Sequence, residues 1–454
     1  MDSISLQWTL LIGSSLLIFF ISPWAKTKED FFRGSKNEQA PGFWMLTSSL
    51  VISWLFAKSI TNAANLGMNF GMVGGVAYAA YYFSFLVAGI IIYRMRIRGG
   101  YASLHNFLES KYGSSAVLIF SILIGIRLLN EVWSNNLVIG SYFGESGSSP
   151  FYLSIVVFTL LTVAYTLKGG LRSSLLTDLI QMVLFGVLLF VILGIILPKE
   201  DGDIGKFVSS GSWTIAGGLD LFFVAIIQVF SYPFHDPVLT DRAFISEPKT
   251  TLRSFIFATL LGSLCILLFS FVGIYASFEG MEGQAPVEVS KLLGLSMMLA
   301  MNFIMVTSAS STLDSAFNSF AKLFVIDHRL FEERQIFFGR WVIASLAVLG
   351  TIPAFLGAEI LSATTISGTM VLGLSPVFLF WNRSFPRISY YLSIGVGLLF
   401  GFLLAADLYP KSWVFFESTY AALLSANIIA VSLCFLLFLA PALFTKTKTY
   451  ESIA

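Results

Sequence analysis

Four groups of side chains in this sequence combine types and spacings that could do chemistry. In the run 53–71, Lys58, Asn62, Asn65 and Asn69 follow one another at steps of four, three and four. That spacing sets one amine and three amides on a single helical face. Ser308, Ser311, Thr312 and Ser315 recur at i, i+3, i+4 and i+7. They form a second one-faced row, whose hydroxyls offer hard oxygen ligands to a small cation such as Na+. Between Tyr232 and Pro237, two prolines bracket His235 and Asp236. Each proline removes a backbone donor and turns the residue before it away from helix, so the chain must break there beside two ionisable groups. Arg127 and Glu131 stand four residues apart, close enough to pair on one face.

Each group also has a plainer reading. Asparagines join neighbouring membrane helices, and a lysine near a helix end can snorkel to the interface. Lys58, however, lies far from either end of its apolar run. Serine and threonine hydroxyls commonly bond the carbonyl four residues back. Arg127 and Glu131 can simply neutralise one another. A His-Asp hydrolase is a further option, but no nucleophile motif accompanies the pair.

The elements that must position these groups lie in a membrane. Of 454 residues, 56% are apolar, 15% aromatic and only 12% charged, against roughly 25% charged in soluble domains. Net charge is +1 and histidines number three. That leaves no electrostatic footprint for nucleic acid and little material for a metal cluster. Two cysteines, Cys265 and Cys434, both in apolar runs, cannot make a disulfide framework. Apolar stretches predict about 13 transmembrane helices. Those used below are span 2 (43–71), span 4 (114–143), span 5 (150–167), span 6 (174–197), span 7 (218–240), span 9 (292–325) and span 11 (360–382). The first run, 4–23, has no basic flank or cleavage site and is expected to be retained. With the N-terminus outside, the connections assigned to the cytoplasm and the C-terminus hold 21 Lys and Arg, and the opposite side holds 4. The remaining two, Lys58 and Arg127, lie inside spans, where a charge costs about 2.5–3.5 kcal/mol on insertion scales.

Several segments resemble the sodium:solute symporter family, which includes bacterial proline and sodium–galactose symporters. Gly169-Gly-Leu-Arg-Ser-Ser-Leu-Leu-Thr-Asp-Leu-Ile-Gln181 matches that family's loop-to-helix signature. Glu29–Lys36 and Gly99–Phe107 resemble its first and second cytoplasmic loops. Ser310-Ser-Thr-Leu-Asp-Ser315, with Asp327 beyond, resembles its sodium helix. The resemblance implies an all-α membrane protein with a five-plus-five inverted-repeat, leucine-transporter-like core and discontinuous helices 2 and 7. The first repeat would fall in 41–197 and the second in 218–384, with 1–40 and 385–454 peripheral, all within a single transporter domain. It further implies a Na+ site formed by the carbonyls of Ala57, Ile60 and Ser308 and the hydroxyls of Ser311 and Thr312.

The expectation is therefore a non-enzymatic secondary active transporter that couples uptake of a small organic solute to Na+ by alternating access. It would sit in a bacterial inner membrane with its C-terminus cytoplasmic. Its partners would be the solute, the sodium ion and the lipid bilayer, with no nucleic acid and no obligatory protein partner. Solute would bind between spans 2, 4, 7, 9 and 11, with Lys58, Asn62, Asn65, Glu131, His235, Asp236 and Thr365 as its ligands. Span 11 adds Ser362, Thr364, Ser367 and Thr369. Lys58 falls between the two carbonyl donors, so a proton-coupled or ion-independent carrier with its ammonium in place of Na+ stays open. A membrane sensor built on the same fold is the other alternative. Lys58 and Asp236, one at each expected break, are expected to pair directly.

Overall fold

The computed structural model describes residues 3–34, 40–328, 330, 333–356 and 362–444. Lys36, Arg329, Lys446 and Lys448, four of the 21 basic residues assigned to the cytoplasmic side, lie outside the described residues, as do the side chains of Ser362 and Thr364. All regular structure among the described residues is helical. Nine helices there are long and apolar enough to cross a membrane, or ten when one bent pair counts as a single span.

That pair is span 2. It consists of Phe43–Trp54 and Ala57–Phe70, bent by 58°. The break falls at Leu55 and Phe56, where Phe56 is extended at φ −62° and ψ 154°. The helix after the break runs on through Gly67 and ends at Gly71. Gly67 stays helical because it is a packing position: a Cβ there would lie 2.3 Å from the carbonyl oxygen of Ser270 on the helix Pro248–Phe278. The backbone groups freed at the break are met from other spans. Tyr82 Oη donates to the Trp54 carbonyl at 2.6 Å, and the Lys58 amide donates to Asn135 Oδ1 at 3.2 Å.

Span 7 breaks where its prolines predict. Helix Asp220–Gln228 gives way to a 3-10 turn, Tyr232–His235, and then to Pro237–Arg242. Asp236 caps the last piece, its Oδ1 accepting from the amides of Val238 at 3.0 Å and Leu239 at 3.4 Å. Spans 5 and 6 run together as Ser149–Ile196, turned at Gly170, whose φ is 57°. The Gly169-Gly170 corner seats the short helix Lys28–Arg33. A Cβ on Gly170 would lie 2.5 Å from the Phe31 carbonyl oxygen. Span 11 is two short helices, Ser362–Met370 and Leu374–Leu379. Span 4 (Ser114–Ser141) and span 9 (Leu295–Lys322) are unbroken. Span 9 packs against span 4 and the kinked helix, and it also touches both halves of span 2.

Candidate functional site

The two breaks and span 4 bring four charges together. Lys58, Arg127, Glu131 and Asp236 are 0%, 1%, 2% and 3% exposed. Water therefore cannot solvate them, and they must satisfy one another. Glu131 Oε1 accepts from Lys58 Nζ at 2.8 Å and is also ion-paired with Arg127 Nη1. Arg127 Nη2 reaches Asp236 Oδ2 at 3.1 Å. The result is a relay of two cations and two carboxylates with no net charge. Asn135 Nδ2 donates to Glu131 Oε2 at 3.2 Å, and Trp54 Nε1 donates to Asp236 Oδ2 at 2.9 Å. The Phe56 ring lies 5.1 Å from Lys58 Nζ and 5.6 Å from the Arg127 guanidinium, and the Tyr232 ring lies 5.1 Å from that guanidinium.

The relay separates two cavities. One, of about 1270 Å³, is lined by Arg33, Arg96, Asp241 and Lys322, with Ile124 and Pro237 toward the relay. The other, of about 1110 Å³, is lined by Asn62, Asn65, Asn69, Tyr142 and Glu288 among others. Ile124 is one turn from Arg127 and Asn62 is one turn from Lys58. None of the four relay residues lines either cavity.

A second buried network lies between spans 2, 6, 7 and 9. Asp178 accepts from Ser311 Oγ at 2.5 Å and from Ser49 Oγ, and it pairs with Arg242 Nη2 at 3.2 Å. Arg242 also donates to Ser315 Oγ at 2.8 Å. Ser174 Oγ donates to Asp314 Oδ1 at 2.9 Å, and Gln181 Nε2 donates to Ser310 Oγ at 2.9 Å. In the expected ion site, Thr312 Oγ1 donates to the Ser308 carbonyl at 3.0 Å. Ser311 and Thr312 thus spend their protons on protein acceptors and keep oxygen lone pairs for a cation. Ser308 Oγ is buried without a hydrogen-bond partner among the described residues. Ala57 and Ile60 are fully buried at the start of the second half of span 2.

The expected solute ligands therefore divide. Lys58, Glu131 and Asp236 meet in the relay. Asn62 and Asn65 instead line the amide-rich cavity of about 1110 Å³, where Asn62 Nδ2 donates to Tyr78 Oη at 3.3 Å and Asn65 Oδ1 accepts from the Ala285 amide at 2.9 Å. His235 Nδ1 lies 2.6 Å from the Tyr232 carbonyl oxygen. Thr365 stands apart, its carbonyl accepting from Gln228 Nε2 at 3.0 Å. The direct Lys58–Asp236 pair is replaced by a bridge, because the longer Arg127 lies between them and takes both carboxylates. Sequence reasoning gave no part to Trp54, Asp178, Arg242 or Asp314. One signal was there to find: Ser174, Asp178 and Gln181 stand at i, i+4 and i+7, a polar face inside an apolar span.

No family model matches the chain. It is 26% identical over 161 residues to sodium/glucose cotransporter 4 of Mus musculus, covering 34% of this chain and 23% of that protein. It is 26% identical over 213 residues to the uncharacterized symporter YidK of Escherichia coli (strain K12), covering 42% and 36%. It is 22% identical over 228 residues to the sodium/glucose cotransporter of Vibrio parahaemolyticus, covering 48% and 37%. The chain thus spans less than two fifths of the length of each of these relatives. Its fold matches the substrate-bound outward-open state of a Na+-coupled sialic acid symporter at a TM-score of 0.73 and 16% identity, over 97% of this chain and 98% of that one. It also matches MHP1, a nucleobase-cation-symport-1 family transporter, at 0.58 and 14%, over 93% and 98%. The chain resembles sodium:solute symporters in sequence and has the five-plus-five inverted-repeat fold.

Proposed function

We propose that this protein is a sodium-coupled symporter that carries a small organic solute across a membrane by alternating access. The observation that carries this reading is the neutral charge relay, which joins both broken spans and stands between two opposed cavities. A site formed where two discontinuous helices meet at mid-membrane can be uncovered from either side by rocking one helix group against another. Sodium would sit at the carbonyls of Ala57, Ile60 and Ser308 and the hydroxyls of Ser311 and Thr312. The Lys58 ammonium is held by Glu131 at 2.8 Å, which leaves those oxygens to the ion and favours Na+ over an ammonium substitute. Solute would enter past Asn62 and Asn65 and bind at the relay residues Lys58, Glu131 and Asp236. The cavity lined by Arg33, Arg96 and Lys322 would face the cytoplasm, in keeping with the side richer in Lys and Arg.

Binding of 22Na+ to the purified protein tests this reading. The expected result is saturable binding that the Ser311→Ala, Thr312→Ala double variant loses. Absence of saturable binding in the wild type, or binding unchanged in that variant, would overturn it.

A further inference from the structure

Lys58 is the cation nearest in sequence to the carbonyls proposed for Na+, and span 4 holds it by both ends. Its amide donates to Asn135 Oδ1 at 3.2 Å, and its Nζ donates to Glu131 Oε1 at 2.8 Å. Asn135 steadies Glu131 in turn, its Nδ2 donating to the Glu131 carbonyl at 2.8 Å and to Oε2 at 3.2 Å. An ammonium carries three donors, yet Glu131 is its one hydrogen-bond acceptor among the described residues. The Lys58 side chain is 0% exposed, so water cannot take the place of that carboxylate. The same turn of helix carries the carbonyls of Ala57 and Ile60, on either side of Lys58 in sequence. That helix packs against span 4, which bears Glu131, and against span 9, which bears Ser308, Ser311 and Thr312.

We propose that Glu131 is the positioning residue that makes this carrier need sodium: by holding the Lys58 ammonium on span 4, it keeps a built-in cation away from the Na+ ligands. This rests on the sodium-coupled reading above and deepens it by naming what selects the ion. Without Glu131, the flexible four-carbon stem of Lys58 is free to turn its ammonium to the carbonyl and hydroxyl oxygens proposed for Na+. A cation tethered beside those oxygens competes with the free ion at a high effective concentration. An unpaired ammonium near them also repels a second cation, because the protein interior screens charge weakly. Asp236 supplies the comparison. By charge count the two carboxylates are equivalent, since losing either leaves two cations against one carboxylate. By position they are not: Asp236 reaches Lys58 only through Arg127 and Glu131, so Lys58 stays held when Asp236 is neutral.

The test is 22Na+ binding to the purified full chain in detergent, with the folded fraction of each variant isolated by gel filtration. Glu131→Gln should weaken Na+ binding by about tenfold or more. Asp236→Asn, which keeps a side chain able to cap the helix, should weaken it far less. Adding Lys58→Met to Glu131→Gln should restore Na+ binding, which identifies the ammonium as the competitor. If Glu131→Gln yields no folded protein, Glu131→Asp replaces it. That variant keeps the charge but shortens the reach to Lys58, so it should weaken Na+ severalfold, and Lys58→Met should cancel the loss. Three results would overturn the proposal: unchanged Na+ affinity in the Glu131 variants, equal losses in Glu131→Gln and Asp236→Asn, or a loss that Lys58→Met does not repair. Each of these leaves symport standing, because the wild type still binds Na+. Absence of saturable binding in the wild type overturns the symport reading itself, and this inference with it.

Discussion

Arg127 reaches Asp236 across 109 positions of sequence, with Nη2 3.1 Å from Oδ2, and in doing so ties the break of span 7 to the unbroken span 4. Lys58, at the other break, joins the same group only through Glu131. The charges at the two breaks are therefore joined through a third span, while Trp54 Nε1 links the breaks directly by donating to Asp236. Charge balance across the relay, rather than any one pair, should therefore set its stability.

That balance can be tested by counting charges. Glu131→Gln leaves two buried cations against one carboxylate and should destabilise the fold by about 3–5 kcal/mol. Adding Lys58→Met restores neutrality and should recover much of the loss. Detergent unfolding midpoints for the single and double variants decide it. Equal losses would mean that the relay is not electrostatically coupled.

The proposed sodium ligands Ser311 and Thr312 should act as a pair. Changing Ser311 or Thr312 to Ala should each raise the half-saturating Na+ concentration by roughly tenfold, equivalent to ~1.4 kcal/mol. Ser311 also donates to Asp178 at 2.5 Å, so its loss should lower thermal stability more than the loss of Thr312. Unaltered sodium dependence in the double variant would remove both residues from the site.

Much of this site can be read in the sequence, and the unread parts share a cause. Pro233 and Pro237 announce the break in span 7 because proline acts locally. The break in span 2 has no such residue at Leu55 or Phe56. It is sustained by Tyr82, 28 positions away, and Asn135, 77 positions from Lys58. Arg127 and Glu131 look self-contained because their spacing is local, while the second carboxylate that Arg127 holds belongs to another span. Asp178 sits inside the most specific motif of the chain, yet its partners Ser49, Arg242 and Ser311 come from three other spans. Local chemistry is legible in the sequence, and partnerships between spans are not.

Two glycines should tolerate no side chain. Gly67→Ala drives a methyl toward the Ser270 carbonyl, and Gly170→Ala adds a clash with Phe31 to a φ of 57° that disfavours a Cβ. Both variants should show lower unfolding temperatures than Gly186→Ala, whose added Cβ would meet nothing within 4 Å. Equal midpoints for all three would refute these close approaches.

A pH dependence should come from His105 in the loop helix Leu104–Tyr112. Burial lowers its pKa to about 4, against a smaller opposing pull from Asp327, while Lys322 and His328 also disfavour its charge. Its Nδ1 lies 3.9 Å from Asp327 Oδ2, and its Nε2 lies 3.4 Å from Ser121 Oγ. The folded state binds this proton more weakly than the unfolded state, whose pKa is about 6.5. The contribution of neutral His105 is therefore whole above about pH 6.5 and is lost as pH falls toward 4. His105→Gln should flatten the fall in unfolding temperature across that window. An unchanged slope would assign the acid sensitivity elsewhere.

Transport by the reconstituted protein is the most direct test of sodium-coupled symport. Proteoliposomes would be given an inward Na+ gradient, an inward proton gradient or neither, and presented with labelled amino acids, sugars and carboxylates. The account predicts that at least one solute accumulates under the Na+ gradient alone, and that the Ser311→Ala, Thr312→Ala variant abolishes this accumulation at Na+ concentrations that saturate the wild type. Accumulation driven equally well without Na+, or by the proton gradient alone, would contradict it.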